Sequence, residues 1–360
     1  MDEFAGVASE TALKLALETI AVQTKFQNRK PAVQLGRVRV LEERFAPKWG
    51  SSGSVAELFG TAYAEVRDLN NAIRWYKVAV NATDGRASMK AAEQLANVLV
   101  RLAWESVDSS RKERDTRFAE LKSISRGRGA ANKKARDAAK RSLGAAEQTF
   151  RDSMISARES AKQATALLDK LVAIHPTMER ESIYGSTWKR LALIEAAAGR
   201  ALEEQKAIES MKLHYQRAAE IGRQSAASDI FYPAMNYLSA ELSLNAGRRG
   251  WKGLDLSITE STRASIDAKN VADPDFWSVI GQTELQLYMA LAAGKLASAR
   301  ESLARGYQDV YRRVSAPWMW SSVYDSAQFV LRKYSTRTSD KERTAAEDIL
   351  GSLLAFAQSK

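Results

Sequence analysis

Apolar residues recur at intervals of three and four through almost the whole chain, and nowhere does a sustained period of two appear between turn residues. That periodicity fits helices with one buried face and leaves no candidate for a sheet. Residues 9–25 place Ala12, Leu15, Leu17, Ile20 and Val22 among charges, and residues 32–45 do the same with Val33, Val38, Val40, Leu41 and Phe45. Ala46-Pro47 and the run Trp49-Gly50-Ser51-Ser52-Gly53-Ser54 then interrupt the pattern, so a hinge is expected there. Only six prolines occur in 360 residues, which also argues against a turn-rich β protein. The expected fold class is all-α.

An internal repeat sharpens this. Phe59-Gly60 is followed by Tyr63, then by Ala72, Tyr76 and Ala79, at the spacing of a helix–turn–helix unit, with Arg67-Asp68-Leu69-Asn70 as its turn and Asp84-Gly85 as its close. Gly60 and Ala72 are small where two antiparallel helices must cross, and the aromatics fill the layer between them. The pattern resembles the tetratricopeptide repeat. Leu95-Ala96 stands about one period later, and Tyr184-Gly185, Trp188 and Tyr215 repeat the theme with longer helices. Asp273-Pro274 reads as an N-cap with proline at the first helical position, ahead of Ile280-Gly281 and a helix ending at Ala293-Gly294. Trp318-Met319-Trp320 is denser than one helix face can bury, so one of these tryptophans is expected at a seam or contact surface. The expected organisation is a helical-hairpin solenoid: a helical pair over 1–48, repeats over 53–106, an insertion over 107–150, divergent repeats over 151–335 and a capping helix over 336–360.

The insertion carries most of the net charge. From Arg111 to Phe150 there are twelve basic and five acidic residues, a surplus of +7 against +11 for the chain. Arg126-Gly127-Arg128-Gly129 breaks helicity at its centre, with Lys133 and Lys134 just beyond. The segment is expected to project as a hairpin and to take the first tryptic cut near 123–132. Arg126, Arg128, Lys133 and Lys134 are candidates for cleavage or for an electrostatic contact. No aromatic lies between Phe118 and Phe150, which argues against stacking on single-stranded nucleic acid.

Residue chemistry offers no enzyme. Cysteine is absent and only His175 and His214 occur, which removes thiol nucleophiles, cysteine-bound metals and multi-histidine sites. No phosphate-binding loop is present, and no serine or carboxylate stands at a diagnostic spacing from His214, which is expected on the surface or partly packed. No cofactor is expected. The N-terminus is acidic and the longest uncharged runs are 11 residues, so no secretory leader or membrane span is read, and a chain without cysteine fits a reducing cytoplasm.

Three stretches extend the resemblance. Asp84-Gly85-Arg86-Ala87-Ser88 with Glu93-Gln94-Leu95-Ala96-Asn97, Glu181 to Ala192, and Tyr232-Pro233-Ala234-Met235-Asn236-Tyr237-Leu238 resemble the repeat region of bacterial CHAT (caspase-like) proteases. They are also similar to the TRAFs-binding region of apoptosis-signal-regulating kinases. The chain departs from both in having no protease or kinase domain. The resemblance implies a non-enzymatic scaffold or regulator that binds a protein partner near caspase-like signalling or antiphage defence.

Groove-facing positions of such a repeat fall one, four and five residues after the small residue of the first helix. They are Thr61, Ala64 and Glu65; Asn97 and Arg101; Ser186, Lys189 and Arg190; and Gln282, Leu285 and Gln286. The set suits a peptide or helix rather than an acidic C-terminal tail, because Glu57 and Glu93 stand where a carboxylate-binding repeat has lysine. Two alternatives stay open: an inhibitor that sequesters an effector until cut in the basic insertion, and a nucleic-acid-binding protein using that insertion.

Overall fold

The computed structural model describes residues 4, 6–26, 31–124 and 130–358. Among them are fourteen α-helices and no strand. The chain divides into two compact units, residues 1–176 with 194–200, and residues 177–193 with 201–360.

In the first unit α1 (Glu10–Phe26), α2 (Pro31–Trp49), α3 (Gly53–Glu65) and α4 (Leu69–Asn81) precede two long helices, α5 (Met89–Ile124) and α6 (Ala130–Ile174). The first two helices bury a stripe displaced from the expected one. Leu13, Leu17 and Ile20 of α1 are in the core while Leu15 and Val22 are exposed, and α2 buries Gln34, Val38 and Leu41 but not Val33 or Val40. Each buried set keeps strict i, i+3/i+4 or i, i+4, i+7 spacing, and the isolated valines and leucine off that line lose to it. Pro47 does not end α2, because it sits in the last turn, where only one backbone bond is lost; the helix runs on to Trp49.

The α3/α4 hairpin is built as its glycine requires. A Cβ on Gly60 would lie 2.7 Å from the Tyr76 ring, so this crossing tolerates hydrogen only. Phe59 stacks on Trp75 at 4.6 Å between centroids. Phe59, Tyr63 and Tyr76 are buried. Asp68 caps α4 by accepting from the Asn71 N–H at 3.2 Å. Glu42 of α2 accepts from the Tyr63 hydroxyl and the Arg74 guanidinium, tying α2 to this pair. Beyond it, α5 packs along α6, with Ala103, Val107, Phe150, Met154 and Ala157 buried around Ile194. The residues read as an insertion are therefore continuous extensions of two helices rather than a separate element. Arg126 and Arg128 lie outside the described residues; Lys133 and Lys134 are exposed on α6.

The second unit takes the portion of α7 (Met178–Ala197) up to Leu193, followed by α8 (Ala201–Gln224), α9 (Phe231–Asn245), α10 (Leu256–Ala272), α11 (Phe276–Ala292), α12 (Leu296–Arg313), α13 (Pro317–Ser335) and α14 (Asp340–Gln358). Gly185 of α7 repeats Gly60: its Cβ would stand 2.7 Å from the Tyr215 ring of α8. Tyr184 and Tyr215 are buried, whereas Trp188 is only partly so. The expected N-cap at Asp273 is displaced. α11 begins at Phe276 under a capping box of Asp275 and Ser278, and Asp273 ends α10, where it pairs with Lys269. Asp275 wins because Ser278 three residues on can answer its backbone N–H.

The last hairpin turns back on earlier ones. α13 packs on α9, and Arg337 beyond its end donates to the carbonyls of Ser243 at 3.3 Å and Leu244 at 3.1 Å at the end of α9. Arg332 and Lys333 both bind Glu204 of α8. In an open repeat array each hairpin touches only its neighbours, so these contacts give the second unit a closure that a plain array lacks. Glu342 of α14 performs a related task. It accepts from the Leu296 N–H at 2.7 Å, the Ala297 N–H at 3.1 Å and the Tyr334 hydroxyl at 2.7 Å. The N-terminus of α12 has no cap from its own N-cap side chain, so a carboxylate from α14 fills that place. Glu342→Ala should cost about 1–2 kcal/mol, read as a lowered urea midpoint with an unchanged slope. A midpoint equal to wild type would show that water caps α12 equally well.

Candidate functional site

The expected groove positions have unequal fates. In the first unit Thr61 is partly buried and its hydroxyl lies 3.1 Å from that of Tyr76, inside the hairpin. Arg101 forms an ion pair with Glu105 at 3.4 Å, and Asn97 lies 3.4 Å from Gln94 on its own helix; Glu65 is partly buried. Thr61, Arg101 and Asn97 are engaged in local contacts. In the second unit Arg190 donates back to Ser186, and Gln282 donates to Asp267 at 3.0 Å. Gln286 is exposed, and Leu285 is core rather than groove.

Lys189 is different. It projects from α7 with its ammonium 5.3 Å from the centre of the buried Phe329 ring of α13. No ion pair or hydrogen bond reaches its nitrogen among the described residues. Loss of water pulls its pKa down to about 8, against the opposing attraction of Glu284 and Asp325. Glu284 of α11, which the sequence reading did not select, is its electrostatic counterpart. Burial pushes that carboxyl up to about 7, against the pull of Lys189, and it too has no hydrogen-bonding or ion-pair partner among the described residues. Around Glu284 stand Tyr288 and Tyr307, whose hydroxyls burial holds well above their ordinary range. The Tyr307 hydroxyl is fully buried and unpartnered, and the Ser239 hydroxyl of α9 faces that of Tyr288. A buried polar atom without a partner is uncommon, which sets the Tyr307 hydroxyl apart from the rest of the core.

Glu284 escaped the sequence reading because Gly281 is a misleading register mark. A Cβ there would meet Ile266 at an ordinary 3.5 Å, whereas the tight crossing of α11 with α12 is at Gly306, where a Cβ would stand 2.9 Å from Thr283. The helix is thus rotated relative to α7, and the third residue after Gly281, not the fourth, turns toward Lys189.

His214 is a correction of a different kind. It is buried, its Nδ1 lies 2.6 Å from Glu181, and Tyr184 stacks on its ring at 3.9 Å between centroids. The ring is a packed, paired core group. His175 is exposed. Among the described residues no group of three or more His, Asp or Glu is placed to hold a metal, and no helix is long and apolar enough to cross a membrane.

The charges of Lys189 and Glu284 make stability depend on pH with a definite sign. Glu284 holds its proton more tightly when folded, so its contribution is present in mild acid and is lost as pH climbs through about 7. Lys189 holds its proton less tightly when folded, so stability recovers as pH rises past about 8. The site is therefore most costly between these values, where both groups are charged. Glu284→Gln should raise the melting temperature at pH 7.5 and leave it nearly unchanged at pH 5. An equal shift at both pH values would show that Glu284 titrates as an ordinary solvated carboxylate.

No protein-family model matches the sequence, and no curated protein matches it.

Proposed function

We propose that this chain is a non-enzymatic helical-repeat scaffold that holds a protein partner against the first helices of its second unit. The observation that carries this reading is Lys189 of α7, seated 5.3 Å from the centre of the buried Phe329 ring with Glu284 of α11 as an opposing charge; both side chains are partly exposed, and neither has an ion pair or hydrogen bond among the described residues. A partner that supplies an acceptor to the ammonium and a donor to the carboxylate relieves a cost the free protein bears, and that relief appears as binding energy. The identical glycine-under-tyrosine crossings of Gly60/Tyr76 and Gly185/Tyr215 support a tetratricopeptide-like repeat as the scaffold. The resemblance to the repeat region of CHAT proteases suggests a partner in a caspase-like protease or antiphage defence system. A cytoplasmic setting suits a chain without cysteine.

The test is affinity capture from an extract of the native host, with wild type beside Lys189→Ala/Glu284→Ala. The expected result is one discrete partner retained by wild type and lost by the double variant, with no peptide or nucleotide turnover by either. Retention of the same partner by both proteins removes the site from the reading. Turnover that survives repurification and disappears in His214→Ala overturns the non-enzymatic assignment.

A further inference from the structure

The two long helices of the first unit carry their cations in opposite states. On α5 the charges are neutralised along the helix. Arg111 and Lys112 pair with Asp108 at 2.7 and 2.6 Å, Arg114 with Asp115 at 2.6 Å, and Arg117 with Glu113 at 2.7 Å and Glu120 at 3.0 Å. On α6 the five cations Lys133, Lys134, Arg136, Lys140 and Arg141 are all exposed, and none forms an ion pair or hydrogen bond with a described residue. One carboxylate, Asp137, stands among them.

Their placement follows from the helix. At 3.6 residues per turn the five occupy an arc of roughly 160° and extend ~12 Å along the axis. The centre of that arc lies roughly 140° round the helix from Ala146 and Phe150, the first buried residues that follow it on α6. The stripe is thus displayed outward on a helix held by its opposite side.

We propose that this stripe is a contact surface for the phosphate backbone of a nucleic-acid duplex, read without regard to sequence. The chemistry beside the cations decides between candidate polyanions. From Lys133 to Ser142 the intervening residues are alanines and Asp137, with no aromatic or large apolar side chain. A protein interface concentrates its energy in such anchors, and this surface has none. Single strands are held by stacking on aromatics, also absent here. Phosphate neutralisation needs only unpaired cations on a rigid support, which the stripe supplies. Cations already paired with acids, as on α5, would have to exchange one partner for another and contribute little.

The experiment measures binding of the full chain to a mixed-sequence 20-base-pair DNA duplex across a salt series, beside a polyglutamate chain of equal charge. Three proteins are compared: wild type, the variant with all five α6 cations changed to Gln, and a control with Arg111→Gln and Lys112→Gln. Gln is a good helix former, so α6 should persist, and circular dichroism checks it. Wild type should bind the duplex more tightly than polyglutamate, with a log–log salt slope near about −4.5, the value for five neutralised phosphates. The five-site variant should lose at least tenfold in affinity at 50 mM salt and most of that slope, while the control changes less than twofold. Failure of wild type to bind the duplex at low salt, tighter binding to polyglutamate, or equal losses in the control and the five-site variant would each overturn the proposal. The wild-type salt slope decides the matter even if the five-site variant does not fold. None of these readouts depends on Lys189 or Glu284, so this inference and the scaffold reading stand or fall separately.

Discussion

Trp320→Ala should cost about 4 kcal/mol, the penalty for removing a fully buried tryptophan and leaving a cavity. The indole is completely inaccessible, its N–H donates to the Val314 carbonyl at 2.7 Å, and Phe276, Tyr311 and Phe356 pack around it edge-on. It joins α11, α12 and α14 to α13, so the loss is felt across the second unit and leaves the Val314 carbonyl needing another donor. Two residues away Trp318 is 52% exposed, and Trp318→Ala should cost less than about 1 kcal/mol. Denaturant unfolding of the two variants side by side checks this. Similar losses would mean that the tandem tryptophans share one environment.

The second large effect concerns the two helix crossings. Gly185→Ala and Gly60→Ala should each destabilise by about 2–3 kcal/mol, because the new methyl would overlap the Tyr215 or Tyr76 ring and force the hairpin apart. The usual preference of helices for alanine over glycine runs the other way. Gly144 in α6 has open space where its Cβ would be, so Gly144→Ala should stabilise by about 0.5–1 kcal/mol. Opposite signs at Gly144 and Gly185 isolate the steric term from propensity. A stabilising Gly185→Ala would show that Tyr215 can swing aside, and the repeat reading would lose its main geometric support.

What the sequence made legible is what local spacing encodes. The Gly60/Tyr76 and Gly185/Tyr215 crossings each follow from a small residue and an aromatic at fixed positions in one hairpin. Both tryptophan environments in Trp318-Met319-Trp320 follow from the geometry of a single helix. The misses have physical causes of two sorts. Leu15, Val22 and Val33 are apolar residues that lie off the true stripe, and a sequence cannot say which of two overlapping stripes will find a partner. Asp273 and Asp275 are competing caps separated by one proline, decided by Ser278. The return of the last hairpin onto α9 through Arg337, and onto α8 through Glu204, joins residues about ninety to a hundred and thirty apart, and no local pattern announces it. The candidate site belongs to that second group. Lys189 was visible by its offset from Gly185, but Glu284, Ser239 and Tyr307 come to the same place only through the packing of three other helices, α11, α9 and α12.

Docking of a partner beside Lys189 of α7 and Glu284 of α11 can be read by site-specific photo-crosslinking in the native host. A benzophenone side chain is placed at Ser186 on α7, partly exposed and one turn before Lys189, and in a second protein at Leu213, exposed on the outer face of α8. A discrete crosslinked species is expected from Ser186 that vanishes when Lys189→Ala and Glu284→Ala are added, and none from Leu213. Crosslinks of equal yield from both positions, or a Ser186 species indifferent to the double substitution, would contradict this docking.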